Sequence, residues 1–393
     1  MSEYLYDTAR RLLESDNTSG RPSGPVMELV AEELRGSGFE VRLQPVRIRG
    51  VDQHNLVAWA GPAVEGGVIL SGHVDTVPWL DQPGWTREPV RLTVEGERLY
   101  GRGVSDMKGF VAQCLAAVRE VDVAGLARPV VLALTAEEEV GCRGAELLAP
   151  ALGSLLGDVP VPRLCWIGEP TSWSVYQAHK GVAQVQVAVH GKGGHSSLPD
   201  QGVNAIVIAG RVVEAIGQVQ EELRAPVEAM RTLFTEAPYT ALNIGTIHGG
   251  TAGNMIAERC DLTVSWRPMP GADPLAPYRQ LTERLALVDL ADHGGGDARA
   301  TIVVGDPEVM LPLHSPADTP LARALEAVVG ESPRGGAPYA TDGGRFAEVG
   351  IHVLICGPGD IAQAHQPDES LSTAAFERGP GVIRAVIERL CGR

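Results

Sequence analysis

Long apolar runs are missing from this sequence. No stretch reaches the ~18–20 residues that a membrane-spanning helix needs, so no membrane segment is expected. The opening residues Met1–Asp7 do not join a basic stretch to an apolar one, so no signal peptide is expected either. The six cysteines (Cys114, Cys142, Cys165, Cys260, Cys356, Cys391) never form a C-x-x-C pair. That argues against a thiolate zinc site or a disulfide framework and fits reduced, buried thiols of a cytoplasmic protein. Positive charge is in short supply, with a formal net charge of −16. Such a chain would meet nucleic acid or an anionic membrane with its own sign of charge. It suits cationic ligands or metals. There are no internal repeats and no low-complexity tract. The glycines around Gly101 and Gly357 give neither G-x-G-x-x-G opening a helix nor a Walker lysine pattern, so a nucleotide-binding protein is set aside.

What is present is a soluble, globular composition of 393 residues, 44% apolar and 21% charged. That is more chain than one core usually holds, so two domains are expected. Residues near Ser2–Arg35 read as helices broken by the Thr18–Pro25 run of Ser, Gly and Pro. Short apolar runs bounded by turn residues follow at Val68–Leu70, Val130–Leu134, Leu164–Ile167 and His352–Ile355. These read as buried strands of an α/β sheet. Met107–Val121 has helical spacing, with Phe110, Leu115 and Val118 on one side. The middle changes character. Strand Val182–Val189, helix Val203–Leu223, strands Leu242–Ile247 and Cys260–Trp266, helix Leu275–Leu287 and strand Ala298–Val304 follow the β-α-β-β-α-β order of a ferredoxin-like sandwich. The Gly-rich run His293–Asp297 reads as a surface loop within it.

Five segments place histidine or carboxylates at the ends of strand-like runs, where open α/β sheets gather ligands. They are Ser71-Gly-His73-Val-Asp75, Gly101-Arg-Gly-Val-Ser-Asp106-Met-Lys-Gly109, Thr135-Ala-Glu137-Glu138-Glu139, Ile167-Gly-Glu169-Pro-Thr171 and Gln363-Ala-His365-Gln-Pro367. His, Asp and Glu are the donors of a hydrolytic zinc or cobalt site. A pair of metals needs a bridging carboxylate, and Asp106, between a turn and a helix start, suits that part. His73 and Asp75, two apart on extended chain, face one side, so the Asp75 carboxylate is expected to hold the second imidazole nitrogen of His73. Singly, each piece has an ordinary reading: a structural histidine, a helix cap at Asp106, a solvated turn at Glu137–Glu139, a turn residue at Glu169. Their joint order carries the weight.

These segments resemble the acetylornithine deacetylase, aminoacylase and succinyl-diaminopimelate desuccinylase family of metallohydrolases, over roughly Leu70–Glu369. The stretches Leu242–Gly250 and Gly357–Glu369 are most similar to the acetylornithine deacetylase branch. The resemblance implies an α/β fold: a mixed-sheet zinc-hydrolase catalytic domain (1–180 and 307–393) with an inserted ferredoxin-like α+β lid and dimerisation domain (181–306). It implies that His73 and Glu169 bind one divalent metal, Glu139 and His365 the other, and that Asp106 bridges them, with a cis peptide after it. The metals implied are Zn2+, with Co2+ the alternative. Glu138 is implied as the general base, by aligning Glu137-Glu138-Glu139 with the family's Asp-Glu-Glu. A one-residue shift would make Glu137 the base and Glu138 the ligand, but Gly141 and Gly144 downstream favour the first register. His195, from the inserted domain of a second subunit, is implied as the oxyanion donor, and Asn254 and Arg267 as the substrate-carboxylate binders. Ser265-Trp266-Arg267-Pro268 departs from the family's Asp-hydrophobic-Arg-Pro. Asp342, in a glycine-rich family loop, reads as a helix cap or a contact for a cationic substrate.

The implied activity is removal of the acyl group from an N-acyl-L-amino acid, N2-acetyl-L-ornithine foremost, by a cytoplasmic homodimer joined through the inserted domain. A dipeptidase, carboxypeptidase or desuccinylase of the same family would keep the chemistry and change the substrate. A non-catalytic metal-binding homologue would lack a ligand or the base. This chain has all five ligands and Glu138.

Overall fold

The computed structural model describes residues 2–292, 298–331 and 335–393. The expected loop at His293–Asp297 lies outside them. The chain divides into two compact units. One comprises Met1–Ala178, Leu313–Ala337 and Thr341–Arg393; the other comprises His179–Pro312 and Pro338–Ala340.

The first unit is built on a large mixed sheet. Its strands run in the order Glu40–Ile48, Val51–Ala60, Val130–Thr135, Val68–His73, Leu164–Ile167, His352–Ile355, Tyr176–His179 and Leu313–His314. The four central strands, Val130–Thr135, Val68–His73, Leu164–Ile167 and His352–Ile355, are mutually parallel. Their apolar runs follow from this position, because a parallel sheet is covered on both faces. Every residue of Val68–His73 and of Val130–Thr135 is buried.

The helix Lys108–Val118 differs from expectation. Periodicity assigned it one apolar side, yet all its residues are buried. It packs between helices Ser2–Glu14 and Thr373–Cys391 and also meets strand Val68–His73, so no face is left for solvent. Phe110 on this helix meets Trp166 of the sheet at a ring-centroid distance of 5.6 Å. The hairpin Glu40–Ile48/Val51–Ala60 was not anticipated. Its signal was the dipeptide Arg49-Gly50, whose φ values of 48° and 82° suit a tight hairpin turn.

The second unit has the expected alternation. Strands Val182–His190, Ala241–Gly249, Arg259–Arg267 and Thr301–Val304 interleave with helices Ala205–Leu223 and Ala276–Leu285. The sheet order is Ala241–Gly249, Arg259–Arg267, Val182–His190, Thr301–Val304, with antiparallel pairing throughout. Val185, Val187 and Val189 alternate inward and pack on Ile208, Val212, Ile216 and Val219 of the long helix, forming a separate core. Asn204 caps that helix by accepting from the Ile206 N–H at 2.9 Å.

Candidate active site

Topology brings the first unit's acidic segments to one end of the central sheet. His73 is the last residue of its strand. Glu137–Glu139 follow Thr135 after one residue, and Glu169 follows Ile167 after one residue. Parallel strands direct their carboxyl ends to the same edge, so these loops converge. Asp106 ends the turn that opens helix Lys108–Val118, and the Asp106–Met107 peptide is cis. His365 comes from the loop after His352–Ile355 and has a φ of 62°.

The geometry is doubled about Asp106. Its Oδ1 lies 3.1 Å from His73 Nε2, and its Oδ2 lies 3.1 Å from His365 Nε2. His73 Nε2 also stands 3.7 Å from Glu169 Oε1, while His365 Nε2 stands 3.0 Å from Glu139 Oε2. Glu138 groups with His73 and Glu169. His73, Asp106, Glu138 and Glu169 are buried, and His365 is half exposed. The acidic turn is therefore not a solvated one. Glu137 turns aside: its Oε1 accepts from the Gly20 N–H at 2.7 Å and from Gln53 Nε2 at 2.8 Å.

Asp75 acts differently from the expected carboxylate–histidine contact. His73 Nδ1 lies 3.0 Å from the Asp75 backbone carbonyl and 3.7 Å from Asp75 Oδ1, so the carbonyl is its partner. The Asp75 carboxylate is engaged elsewhere. It accepts from the Glu138 N–H at 3.1 Å, the Glu139 N–H at 3.2 Å and Ser19 Oγ at 2.9 Å. Asp75 thus shapes the turn that presents Glu138 and Glu139. Asp342 does not cap a helix as one reading expected. It precedes the helix Gly343–Glu348 without a side-chain cap; its Oδ2 instead accepts from Thr135 Oγ1 at 2.5 Å.

The electrostatics follow from burying so many carboxylates together. Burial pushes Glu138 and Glu169 well above the usual carboxylate range, and neighbouring negative charge adds to it, from Glu169 on Glu138 and from Asp106 on Glu169. Burial raises Glu139 as well. Asp106 stays below the range: burial opposes this, but the hydrogen bonds of His365 and His73 prevail. Burial alone would depress His73, yet Asp106, Glu169 and Glu138 hold it well above its ordinary value. Hydrogen bonds to Asp106 and Glu139 bring His365 up to about 10. Four buried carboxylates against two imidazoles leave the cluster short of positive charge. Its donors are all oxygen and imidazole nitrogen, the set that hard and borderline divalent cations take.

The remaining expected residues lie in the second unit. His195 pairs with Met255 across two short strands, close in sequence to Asn254, whose carbonyl accepts from the Ser196 N–H at 3.1 Å. The His195 ring is exposed, and its Nδ1 accepts from the Ser197 N–H at 3.2 Å. Arg267 ends the strand Arg259–Arg267, paired with Ala241.

Sequence comparison adds to this geometry. The profile described as peptidase family M20/M25/M40 matches residues 69–389. The chain belongs to that family. As an M20 hydrolase it is a metal-dependent enzyme. It is 36% identical over 366 residues to an acetylornithine deacetylase of Klebsiella pneumoniae (strain 342), covering 93% of this chain and 91% of that one. It is 34% identical over 394 residues to an acetylornithine deacetylase of Myxococcus xanthus, covering 99% and 98%. Among solved structures it is similar to an M20 family metallo-carboxypeptidase from Sulfolobus solfataricus, with a TM-score of 0.79 at 18% identity, covering 99% of both chains. That likeness concerns the fold. Among the described residues, no helix of this M20 hydrolase is long and apolar enough to cross a membrane.

Sequence reasoning missed several residues around the site. Arg102 and Glu369 lie within the motif segments but carry no signal of their own there, and Ser19, Gln53 and Gln82 lie outside them. A single polar side chain carries no periodic signal, and only folding shows whose backbone or carboxylate it meets.

Proposed function

We propose that this M20 hydrolase removes the acyl group from N-acyl-L-amino acids, with N2-acetyl-L-ornithine as substrate and L-ornithine and acetate as products. One observation carries the chemistry: the two oxygens of Asp106 each face a different imidazole, each of which has its own glutamate. In this reading His73 and Glu169 hold one divalent cation, His365 and Glu139 hold the other, and Asp106 holds both. The donor set favours Zn2+, with Co2+ able to replace it. When bound, the cations supply Lewis acidity, polarising the amide carbonyl and acidifying a water. Glu138 takes the proton of the attacking water and returns it to the leaving amine nitrogen. Its buried position beside His73 and Glu169 places it next to the proposed cation ligands. The turning away of Glu137 supports Glu138 as base and Glu139 as ligand.

His195 supplies the donor for the tetrahedral oxyanion, and Asn254 and Arg267 bind the substrate carboxylate. His195 Nδ1 accepts from the Ser197 N–H, which leaves Nε2 as the ring nitrogen that faces a substrate in this reading. A homodimer through the second unit is supported by the strand Ala241–Gly249. It lies at a sheet edge with Ile247 half exposed, and such an edge calls for covering. Six free, buried cysteines suit a reducing cytoplasm, and the reaction suits arginine synthesis. Sequence likeness over more than 90% of the chain to relatives named acetylornithine deacetylase supports acetylornithine over other amides.

The test is a kinetic panel of N-acetylornithine, N-acetylmethionine, N-succinyl-diaminopimelate and small dipeptides on Zn2+- and Co2+-loaded enzyme. N-acetylornithine should give the highest kcat/KM. Faster turnover of dipeptides or of the succinylated substrate would overturn the substrate assignment.

A further inference from the structure

Behind the cluster lies a buried ion pair with no role in the chemistry above. Arg102 and Glu369 are 2% and 0% exposed, and Arg102 Nη1 donates to Glu369 Oε2 at 2.9 Å. The Glu369 carboxylate then grips the turn before Asp106. Its Oε2 accepts the Gly103 N–H at 3.1 Å, and its Oε1 accepts the Ser105 and Asp106 N–H groups at 2.9 and 3.0 Å. On its other side, Arg102 Nη2 donates to Gln82 Oε1. Gln82 Nε2 in turn donates to the backbone carbonyl of His365 at 2.6 Å. One guanidinium therefore ties down both residues that meet at 3.1 Å, Asp106 through Glu369 and His365 through Gln82.

We propose that Arg102 is a positioning residue that fixes the separation of Asp106 and His365, with Gln82 as the arm that reaches the His365 side alone. The chemistry favours arginine here, because its planar fork reaches two acceptors at once, which a lysine ammonium on a flexible stem does not do in fixed geometry. The burial argues the same way. An apolar pair of similar volume would be at least as stable as a buried ion pair, so packing alone does not account for it. What the charges do provide is a carboxylate whose three N–H bonds set the path of the Asp106 turn.

This inference rests on the reading that the cluster holds two divalent cations, and the experiment separates the two. Co2+ is titrated into the metal-free full-length protein, followed by its visible absorption and by competition with a chromophoric chelator. The wild type should take two Co2+. Gln82→Ala, at a partly exposed position, should weaken one Co2+ by about 10–100-fold, the usual reach of a residue that orients a ligand. The other Co2+ and the metal-free unfolding temperature should stay as in the wild type. Glu369→Gln should weaken both, because Asp106 serves both. If that variant does not fold, Gln82→Ala decides alone. A wild type that takes fewer than two Co2+ would end the two-cation reading and this inference with it. Two Co2+ in the wild type, with Gln82→Ala binding both normally or losing both equally, would overturn the positioning role and leave the two-cation reading standing.

Discussion

Glu138 sits among like charges, with Glu169, Asp342 and Glu139 each raising its hold on a proton beyond what burial does. Glu138→Gln keeps the shape and removes the titrating oxygen. It should cost roughly 10²–10⁴-fold in kcat, the range of one acid–base residue. Metal analysis of the same preparation should show undiminished content; unchanged kcat would remove Glu138 from the reaction. Asp75 stands one step back, with three hydrogen bonds from the turn and from Ser19. Asp75→Asn replaces part of an acceptor carboxylate by a donor that faces N–H groups. A loss of ~10–100-fold in kcat or metal affinity is expected, because Glu138 and Glu139 lose their fixed backbone.

His179 adds a pH dependence of stability from outside the carboxylate cluster. Its ring is fully buried, and burial pushes its pKa down to about 4 despite the 2.9 Å hydrogen bond to the Lys180 carbonyl. The unfolded chain binds this proton near pH 6.5 while the folded chain does so only near 4, so stability falls as pH drops through that window. Above pH 6.5 the group contributes no slope. The ceiling is on the order of 3 kcal/mol. Thermal unfolding of His179→Gln should therefore show a shallower loss between pH 6.5 and 4 than the wild type; an equal slope would rule out this assignment.

At the scale of elements, the strand ends matter more than the strands. Gly168 follows strand Leu164–Ile167 and precedes Glu169, and a Cβ there would lie 2.0 Å from the Phe110 ring. Phe110 belongs to the helix that opens just after Asp106. Gly168→Ala should thus cost about 1–3 kcal/mol through overpacking and lower metal affinity as Glu169 shifts. Denaturant unfolding and Co2+ titration would read the two effects; an alanine variant of wild-type stability would mean that helix and strand can slide apart. The apolar runs of the four parallel strands were legible because a doubly covered sheet writes itself as uninterrupted Val, Ile and Leu. The all-round burial of Lys108–Val118 was not, because periodicity reports one partner surface and this helix is covered on every side.

For the whole molecule, the two units have separate cores, and all the proposed cation ligands lie in the first. Cations bound to the folded state but not the unfolded one stabilise it by mass action. Chelation should therefore abolish activity and lower the calorimetric transition of the first unit, leaving that of the second in place. Zn2+ or Co2+ should restore both. Full activity in a metal-stripped preparation would contradict the proposed mechanism.

The sequence by itself determined the acidic, helix-and-strand character of the chain, four buried strands of the large sheet, the order of elements in the second unit, and the residue types able to bind cations. These depend on local periodicity and on side-chain chemistry, which are properties of short segments. Only the tertiary structure decided which oxygen faces which nitrogen. That Asp106 meets two imidazoles, that the Asp75 carboxylate serves the Glu138 turn, and that Asp342 bonds to Thr135 all depend on residues far apart in the chain arriving within about 3 Å of one another. No local rule fixes such meetings, because they are set by the sheet order and the paths of the loops between its strands.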